Sequence, residues 1–339
     1  MDINTKTIAK ALLSITRITV TILLVVFVGW LVISRPALLD YQSSSDGLDL
    51  ANIKVNSNRL KQHVKTLSVD LVPRSYQDIE NLNAAADYIA KALGCDNAGV
   101  HYQSYEVAGE QYHNVIAEFG KSSDADNDDV IVIGAHYDVY GNHPGADDNA
   151  SGVAGLLELA RLLCTASLNT SVILVAYTLE EPPMYNSEFM GSVKHAQLLK
   201  QQNISVKLMI SLETIGFYSE RPKSQTYPML LLKGYYPDQG NFISVVGNMM
   251  SNSARQLKIA INQNTELESY SINAPTAITG VDFSDHRSYW SQGFNAVMIT
   301  DTAFYRNTAY HTNADTFDRL NYAKMADVVL GVYAYVISQ

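Results

Sequence analysis

Three nearly unbroken apolar runs, Val130 to Gly134, Val172 to Tyr177 and Val206 to Leu212, constrain this chain more than any other feature. A strand with one wet face alternates apolar and polar residues; a run without alternation reads as a strand buried on both faces, as in parallel sheets. A helical pattern follows each run. After Asn149, for instance, Val153, Leu156, Leu157, Ala160, Leu163 and Cys164 fall on one face at the helical period. Strand and helix in alternation predict an α/β layered sheet. A late strand, Ala296 to Thr300, and a final helix from about Asn321 to Ile337 extend it; Lys324 and Asp327 make that last helix a packed core helix rather than a membrane span. Upstream, helices are expected over Arg59 to Leu67 and Tyr76 to Leu93, then an antiparallel pair of strands, Gly99 to Val107 and Tyr112 to Phe119. The acidic, Ser-rich stretch Lys121 to Asp128 reads as a surface turn.

Residues suited to metals sit where those strands end. In open α/β sheets a ligand binds beyond the carboxyl ends of the strands, where strand order switches. His136 closes the first buried strand, Glu180 and Glu181 the second and Glu213 the third; Asp147 precedes the helix after the first, and His311 follows the late strand through a loop. Imidazole and carboxylate donors without thiolates suit zinc. Five donors exceed the three that one catalytic zinc takes from protein, and two metals sharing a bridging carboxylate would account for all five. Asp138 lies two residues beyond His136, on the same side of a strand, placed to accept the other ring proton of that histidine. Of the adjacent Glu180 and Glu181, one would bind metal and the other move a proton. His63, His101, His113 and His195 lie outside the acidic clusters and read as structural or surface residues, and His143 and His286 as surface residues or supports around the site.

The amino terminus is a separate matter. From Ile18 to Ile33 there is no charge, with Lys6, Lys10 and Arg17 before this run. Sixteen residues rise about 24 Å as helix against a hydrocarbon core of roughly 30 Å, and extension back to Ala11 closes the gap if Arg17 snorkels. The charge bias puts the terminus in the cytoplasm and the rest across the membrane. Ser34-Arg35-Pro36-Ala37 lacks the small-x-small pattern of signal cleavage, so the segment reads as an uncleaved anchor. The expected organisation is a basic segment at 1–17, an anchor at 18–34, a tether at 35–57 and one enzyme domain at 58–339. Hydrophobic residues make up 47% of the chain, ample for a core, while a net charge of −10 and no Lys/Arg clusters exclude a nucleic-acid groove. Cys95 and Cys164, the two cysteines, are too few for a disulfide framework or a thiolate metal site; Cys164 reads as a small buried hydrophobe, with a single bridge between the two as the alternative in an oxidising compartment.

The set His136-Tyr-Asp138, Gly145-Ala-Asp147-Asp-Asn-Ala-Ser-Gly152, Glu180-Glu181, Ser284-Asp285-His286 and His311-Thr-Asn-Ala-Asp315-Thr316 resembles the signature of metallopeptidase family 28, the co-catalytic di-zinc aminopeptidases. The resemblance covers the chain from about Asn58 to the carboxyl end. It implies a mixed, mostly parallel sheet sandwiched by helices, two Zn(2+) per chain and a peptide substrate. Carried over residue by residue, it implies that His136 and Glu213 hold one zinc, Glu181 and His311 the other, that Asp147 bridges them with a cis peptide after it, and that Glu180 is the general acid/base. Tyr310 is placed to donate a hydrogen bond to an oxyanion. Many secreted aminopeptidases of the family carry Asp where Glu213 stands; the extra methylene changes reach and leaves charge alone. Rival readings are a single-zinc glutaminyl cyclase, a carboxypeptidase using Arg287 or Arg306 for the substrate carboxylate, and an inactive binding module that has lost its ligands, which this chain has not.

Overall fold

In the computed structural model, residues 5–38, 50, 52–120, 129–249 and 251–339 are described; the expected turn at Lys121 to Asp128 and most of the tether lie outside them. The three apolar runs form β3 (Val130–His136), β4 (Ser171–Tyr177) and β5 (Val206–Glu213), and every residue of β3 is buried. With β1 (Gly99–Val107), β2 (Glu110–Phe119), β6 (Ile243–Gly247), β7 (Ser269–Asn273) and β8 (Ala296–Thr300) they make one sheet in the order β1-β2-β4-β3-β5-β8-β6-β7. The central β4, β3, β5 and β8 are parallel, whereas β1 and β2 pair antiparallel, β2 joins β4 antiparallel and β6 joins β8 antiparallel. Because β4 lies on one side of β3 and β5 on the other, strand order reverses at β3, and a crevice opens beyond its carboxyl end.

Helices cover both faces of the sheet. On one face α4 (Gly152–Leu163) is buried along almost its whole length between the sheet, α2 (Ser57–Lys65) and α8 (Tyr322–Ile337). The polar groups of α8 are used at its solvent edge: Asn321 caps the helix by accepting from the Lys324 amide, and Lys324 Nζ donates to the Asn241 carbonyl at 2.8 Å. α8 is therefore a core helix, as its charges suggest. α3 (Ile79–Leu93) packs on β2, α5 (Gly191–Gln201) on the opposite face with α7 (His286–Ser291), and α6 (Ser253–Asn264) beside β7.

Several features depart from expectation. Packing starts before residue 58, since Leu50, Ile53 and Val55 lie against the core. Cys164 is not a lone hydrophobe but is bonded to Cys95, tying the end of α4 to the end of α3 across 69 residues. The strands β6 and β7 have no counterpart in the sequence reading. Each has five residues, and β7, Ser-Tyr-Ser-Ile-Asn, is too short and polar to stand out. Ahead of the domain, α1 (Thr5–Leu38) contains Ile8–Gly29, long and apolar enough to cross a bilayer with mean hydropathy 2.4.

Candidate metal centre

Every donor loop opens at the crevice beyond β3. His136 ends that strand, and its Nδ1 lies 3.2 Å from the Asp138 carbonyl but 3.6 Å from the nearer Asp138 carboxylate oxygen, too far for a hydrogen bond. The carbonyl thus takes the ring proton expected to go to the carboxylate. The Asp138 carboxylate instead accepts from the amides of Glu180 at 3.1 Å and Glu181 at 3.0 Å, splinting the loop after β4 to that after β3.

His136 Nε2 faces Asp148 Oδ1 at 3.3 Å and Glu213 Oε2 at 3.3 Å, with Glu180 Oε2 at 3.9 Å. His311 Nε2 faces Asp148 Oδ2 at 2.9 Å and Glu181 Oε2 at 3.2 Å. Asp148, not Asp147, therefore stands between the two imidazoles, one oxygen toward each. The neighbouring Asp147 points away, accepting from the Gly216 amide at 2.9 Å and from Asn307 Nδ2 at 2.9 Å. The local backbone decides between them. Gly145 starts the turn at φ +57°, where a Cβ would stand 2.4 Å from the Asp148 carbonyl oxygen and from Val139. Helical geometry then breaks at Asp148 and Asn149, and the cis peptide joins these two residues, one position later than expected. Two adjacent aspartates look alike in a sequence; only the break in the turn separates their directions.

Buried groups hold this turn. Asp315 accepts from the amides of Asp147 at 3.0 and 3.1 Å and of Asp148 at 3.1 Å. Arg74, wholly buried, donates to the carbonyls of Leu67, Tyr137, Pro144 and Gly145, and burial lowers its guanidinium to about 10. Ser284 Oγ donates to Glu213 Oε2 at 2.8 Å. Of these supports Arg74 went unread in the sequence, since an isolated arginine before α3 carries no motif. His311 is clamped between two rings: Tyr310 stacks on it with centroids 3.9 Å apart and Tyr140 at 4.6 Å. Tyr310 thus packs face-on against a donor histidine.

The donors fit a pair of divalent ions. His136 Nε2, His311 Nε2, Asp148 Oδ2 and Glu181 Oε1 are buried without a hydrogen-bond partner, and all four lie in this cluster. A tetrahedral ion with ligands at about 2.0–2.1 Å spaces those ligands about 3.3–3.4 Å apart, close to the separations above. Two donor groups result, His136 with Asp148 and Glu213, and Asp148 with Glu181 and His311. Glu180 belongs to neither. Burial, reinforced by the charges of Glu181 and Glu213, holds its carboxyl well above the usual range against the pull of His136. Burial and the charge of Asp148 raise Glu181 to about 8. His311 rises to about 10, the carboxylates of Asp148 and Glu181 outweighing its burial.

The model of peptidase family M28 matches residues 114–336. The chain belongs to that family. It is 45% identical over 315 residues, 90% of this chain and 95% of the relative, to the uncharacterized protein YfbL of Escherichia coli strain K12. It is 25% identical to the probable aminopeptidase YDR415C of Saccharomyces cerevisiae, over 76% of this chain and 65% of that one. Among solved structures, LapB of Legionella pneumophila aligns with a TM-score of 0.63 at 22% identity, over 84% of this chain and 72% of that one. A glutaminyl cyclase of Bacteroides thetaiotaomicron aligns equally well, 0.63 at 17% identity over 84% and 99%. The fold is shared with both structures and does not by itself choose an activity.

Beside the donor pair, this M28 peptidase has an apolar cavity reaching from Glu213 and Tyr310 down to Val246 and Met298 of the sheet. Its outer wall comes from Tyr227, Leu232 and Tyr236. No Lys or Arg lines it. Arg306 is buried directly behind the lining, donating to Gln225 Oε1 and the Phe242 carbonyl at 2.8 Å each. Arg287 donates to the Tyr185 hydroxyl at 2.8 Å and lies 3.6 Å from Asp282. Neither arginine reaches the donor pair. His286 is also away from it: its Nε2 donates to the Val281 carbonyl at 2.8 Å behind the cavity wall, while His143 meets Asn313 at the surface. His63 and His195 are buried against the hydroxyls of Tyr88 and Tyr289.

Proposed function

We propose that this M28 hydrolase is a membrane-anchored aminopeptidase with two zinc ions, held by His136, Asp148, Glu181, Glu213 and His311 and bridged by Asp148. The observation that carries the reading is the Asp148 carboxylate, with one oxygen toward each buried imidazole. Charge supports it: the carboxylates of Asp148, Glu180, Glu181 and Glu213 together match the charge of two divalent cations. Bound zinc would supply Lewis acidity toward the scissile carbonyl and a nucleophile near neutral pH.

The rest is the work of this chain. Glu180, buried and free of both donor groups, takes the proton of the attacking water and passes it to the leaving amine. Asp138 positions it through the splinted amides. Tyr310 keeps His311 in place and borders the cavity, and its hydroxyl is the candidate donor to the oxyanion. The apolar cavity receives the side chain of the substrate's first residue. Its lack of cationic groups speaks against a substrate carboxylate there, hence against a carboxypeptidase, and two donor groups speak against a single-zinc cyclase.

Residues 18–34 of the long apolar helix α1 are the proposed anchor, with the amino terminus cytoplasmic and the catalytic domain outside. The Cys95–Cys164 bond supports that side, because disulfides persist in oxidising compartments. The test is a panel of peptides with free or acetylated amino ends, assayed on protein whose zinc is counted. Hydrolysis of the free peptides alone, at about two zincs per chain, is expected. Full activity at one zinc would overturn the bridged site, and indifference to acetylation would overturn the aminopeptidase.

A further inference from the structure

The outer wall of the cavity carries an apolar surface that the reaction does not use. Met229, Leu230 and Leu231 are 42%, 81% and 53% exposed, and no other large hydrophobic side chain described in the molecule is as exposed as Leu230, the anchor included. They open a short helical turn, Leu230–Gly234, whose Leu232 faces inward and lines the cavity. Exposing two leucines and a methionine side by side to water forgoes about 25 cal/mol for each Å² of apolar surface left uncovered, so a cover is to be expected.

The fold indicates which cover. Tyr236, just after the turn, donates its hydroxyl to the Ser271 carbonyl of β7 at 2.9 Å, and its ring meets that of Tyr270 at 5.9 Å. The turn therefore stands beside β7, the edge strand. α1 lies against that same strand. From Ile33, where the uncharged run ends, to Leu38, where α1 ends, the helix rises only about 8 Å. With α1 as the anchor, its contact with β7 brings the β7 edge, and the turn beside it, near the membrane surface. The composition of the segment suits that boundary: leucines, with tyrosines at 227, 235 and 236 of the kind enriched at membrane–water interfaces.

We infer that Met229, Leu230 and Leu231 dip into the outer leaflet of the bilayer that holds α1, forming a second, peripheral membrane contact that sets the wall of the side-chain cavity at the lipid surface. This rests on the anchoring reading above. The test uses the full chain in lipid vesicles. Since Cys95 and Cys164 are paired, a cysteine placed by Leu230→Cys is the one to take an environment-sensitive fluorophore, with Val25→Cys and Glu110→Cys as separate controls. Lipids carrying a quencher in the upper acyl chain should quench the labels at 230 and 25 several-fold more than that at 110, while soluble-peptide hydrolysis stays within about two-fold of the parent. Quenching at 25 without quenching at 230 would overturn the contact and leave the anchor standing; quenching at neither would overturn both. A label at 230 that responds to protein density in the vesicle and not to quencher lipid would assign the surface to a second copy instead.

Discussion

The two halves of the sheet do different work and are written in the sequence with different clarity. Around β4, β3, β5 and β8 lie the candidate donors: His136 and Glu213 end their strands, while Glu181, Asp148 and His311 sit in the loops that follow β4, β3 and β8. Around β6 and β7 the loops carry the cavity, with walls drawn from four distant segments whose apolar residues contact one another only in the fold. A charged side chain buried at a strand end needs a partner, either backbone amides, as at Asp138, or a bound ion. An apolar residue in a loop is equally at home in a core, a pocket or a membrane, so its function shows only in three dimensions.

If the donor half is a bridged two-ion site, its largest dependence is on one carboxylate. Asp148→Asn is expected to empty both sites and to lower kcat/KM by about 10³-fold or more, because the polarisation supplied by the ions is worth several kcal/mol. Asp147→Asn, by contrast, should keep both metals at saturation and cost about 1–2 kcal/mol of stability through weakened bonds to Gly216 and Asn307. Metal analysis with thermal melts reads both variants; loss of metal from the second and not the first would return the bridge to Asp147.

That pair of aspartates also marks how far the sequence can be read. Three buried strands and the parallel order they imply follow from the apolar runs, and so does the placing of the candidate donors His136, Glu181 and Glu213 at or beyond their ends, since a parallel strand leaves its carboxyl end little freedom. Choosing the bridging residue depended on a turn whose helical geometry fails at Asp148 and Asn149, a feature with no signature beyond a glycine three residues earlier. Asp138 was legible as a supporting group but not in its actual role, because the competition between its carbonyl and carboxylate for His136 is a matter of tenths of an ångström. The Cys95–Cys164 bond needed two helix ends to meet, and β6 and β7 needed β8 as a template for their pairing.

A smaller effect is expected at Glu180. Glu180→Gln should retain both metals, as the side chain lies outside both donor groups, and lose about 10²-fold in turnover, the usual scale for a removed general acid/base. Metal loss in this variant, with retention in Glu181→Gln, would exchange the two glutamates.

The cavity half is tested by volume. Leu232→Trp narrows it from the outer wall and should lower kcat/KM by about 10-fold for peptides beginning with a large apolar residue, with little change for those beginning with alanine; differences of a few methylenes in an apolar pocket are worth about this much. Equal losses on both substrates would mean that the first residue binds elsewhere, and that the division of labour between the two halves is drawn wrongly.

The smallest effect on activity is expected where the halves join, at Ser284-Asp285-His286. Ser284 braces Glu213 on the donor side, and two residues on, His286 Nε2 donates to the Val281 carbonyl in the cavity wall. His286 is wholly buried and its Nδ1 has no partner, so a second proton would sit there unsolvated; burial lowers the imidazole to about 4, partly offset by the bond to Val281. Unfolded, the same histidine titrates near 6.5 and takes up a proton first. Its contribution to stability is therefore present above about pH 6.5 and is lost as pH falls toward 4, by up to ~3 kcal/mol at 1.36 kcal/mol per unit. His286→Asn, which keeps a donor and cannot charge, should leave zinc content unchanged, raise KM for large apolar residues no more than a few-fold, and flatten the fall of stability between pH 6.5 and 4 measured by chemical denaturation. An unchanged acid limb would assign that fall to His63 and His195, also lowered by burial, to about 4 and about 3. Loss of one zinc would make His286 part of the donor half, which its bond to Val281 argues against.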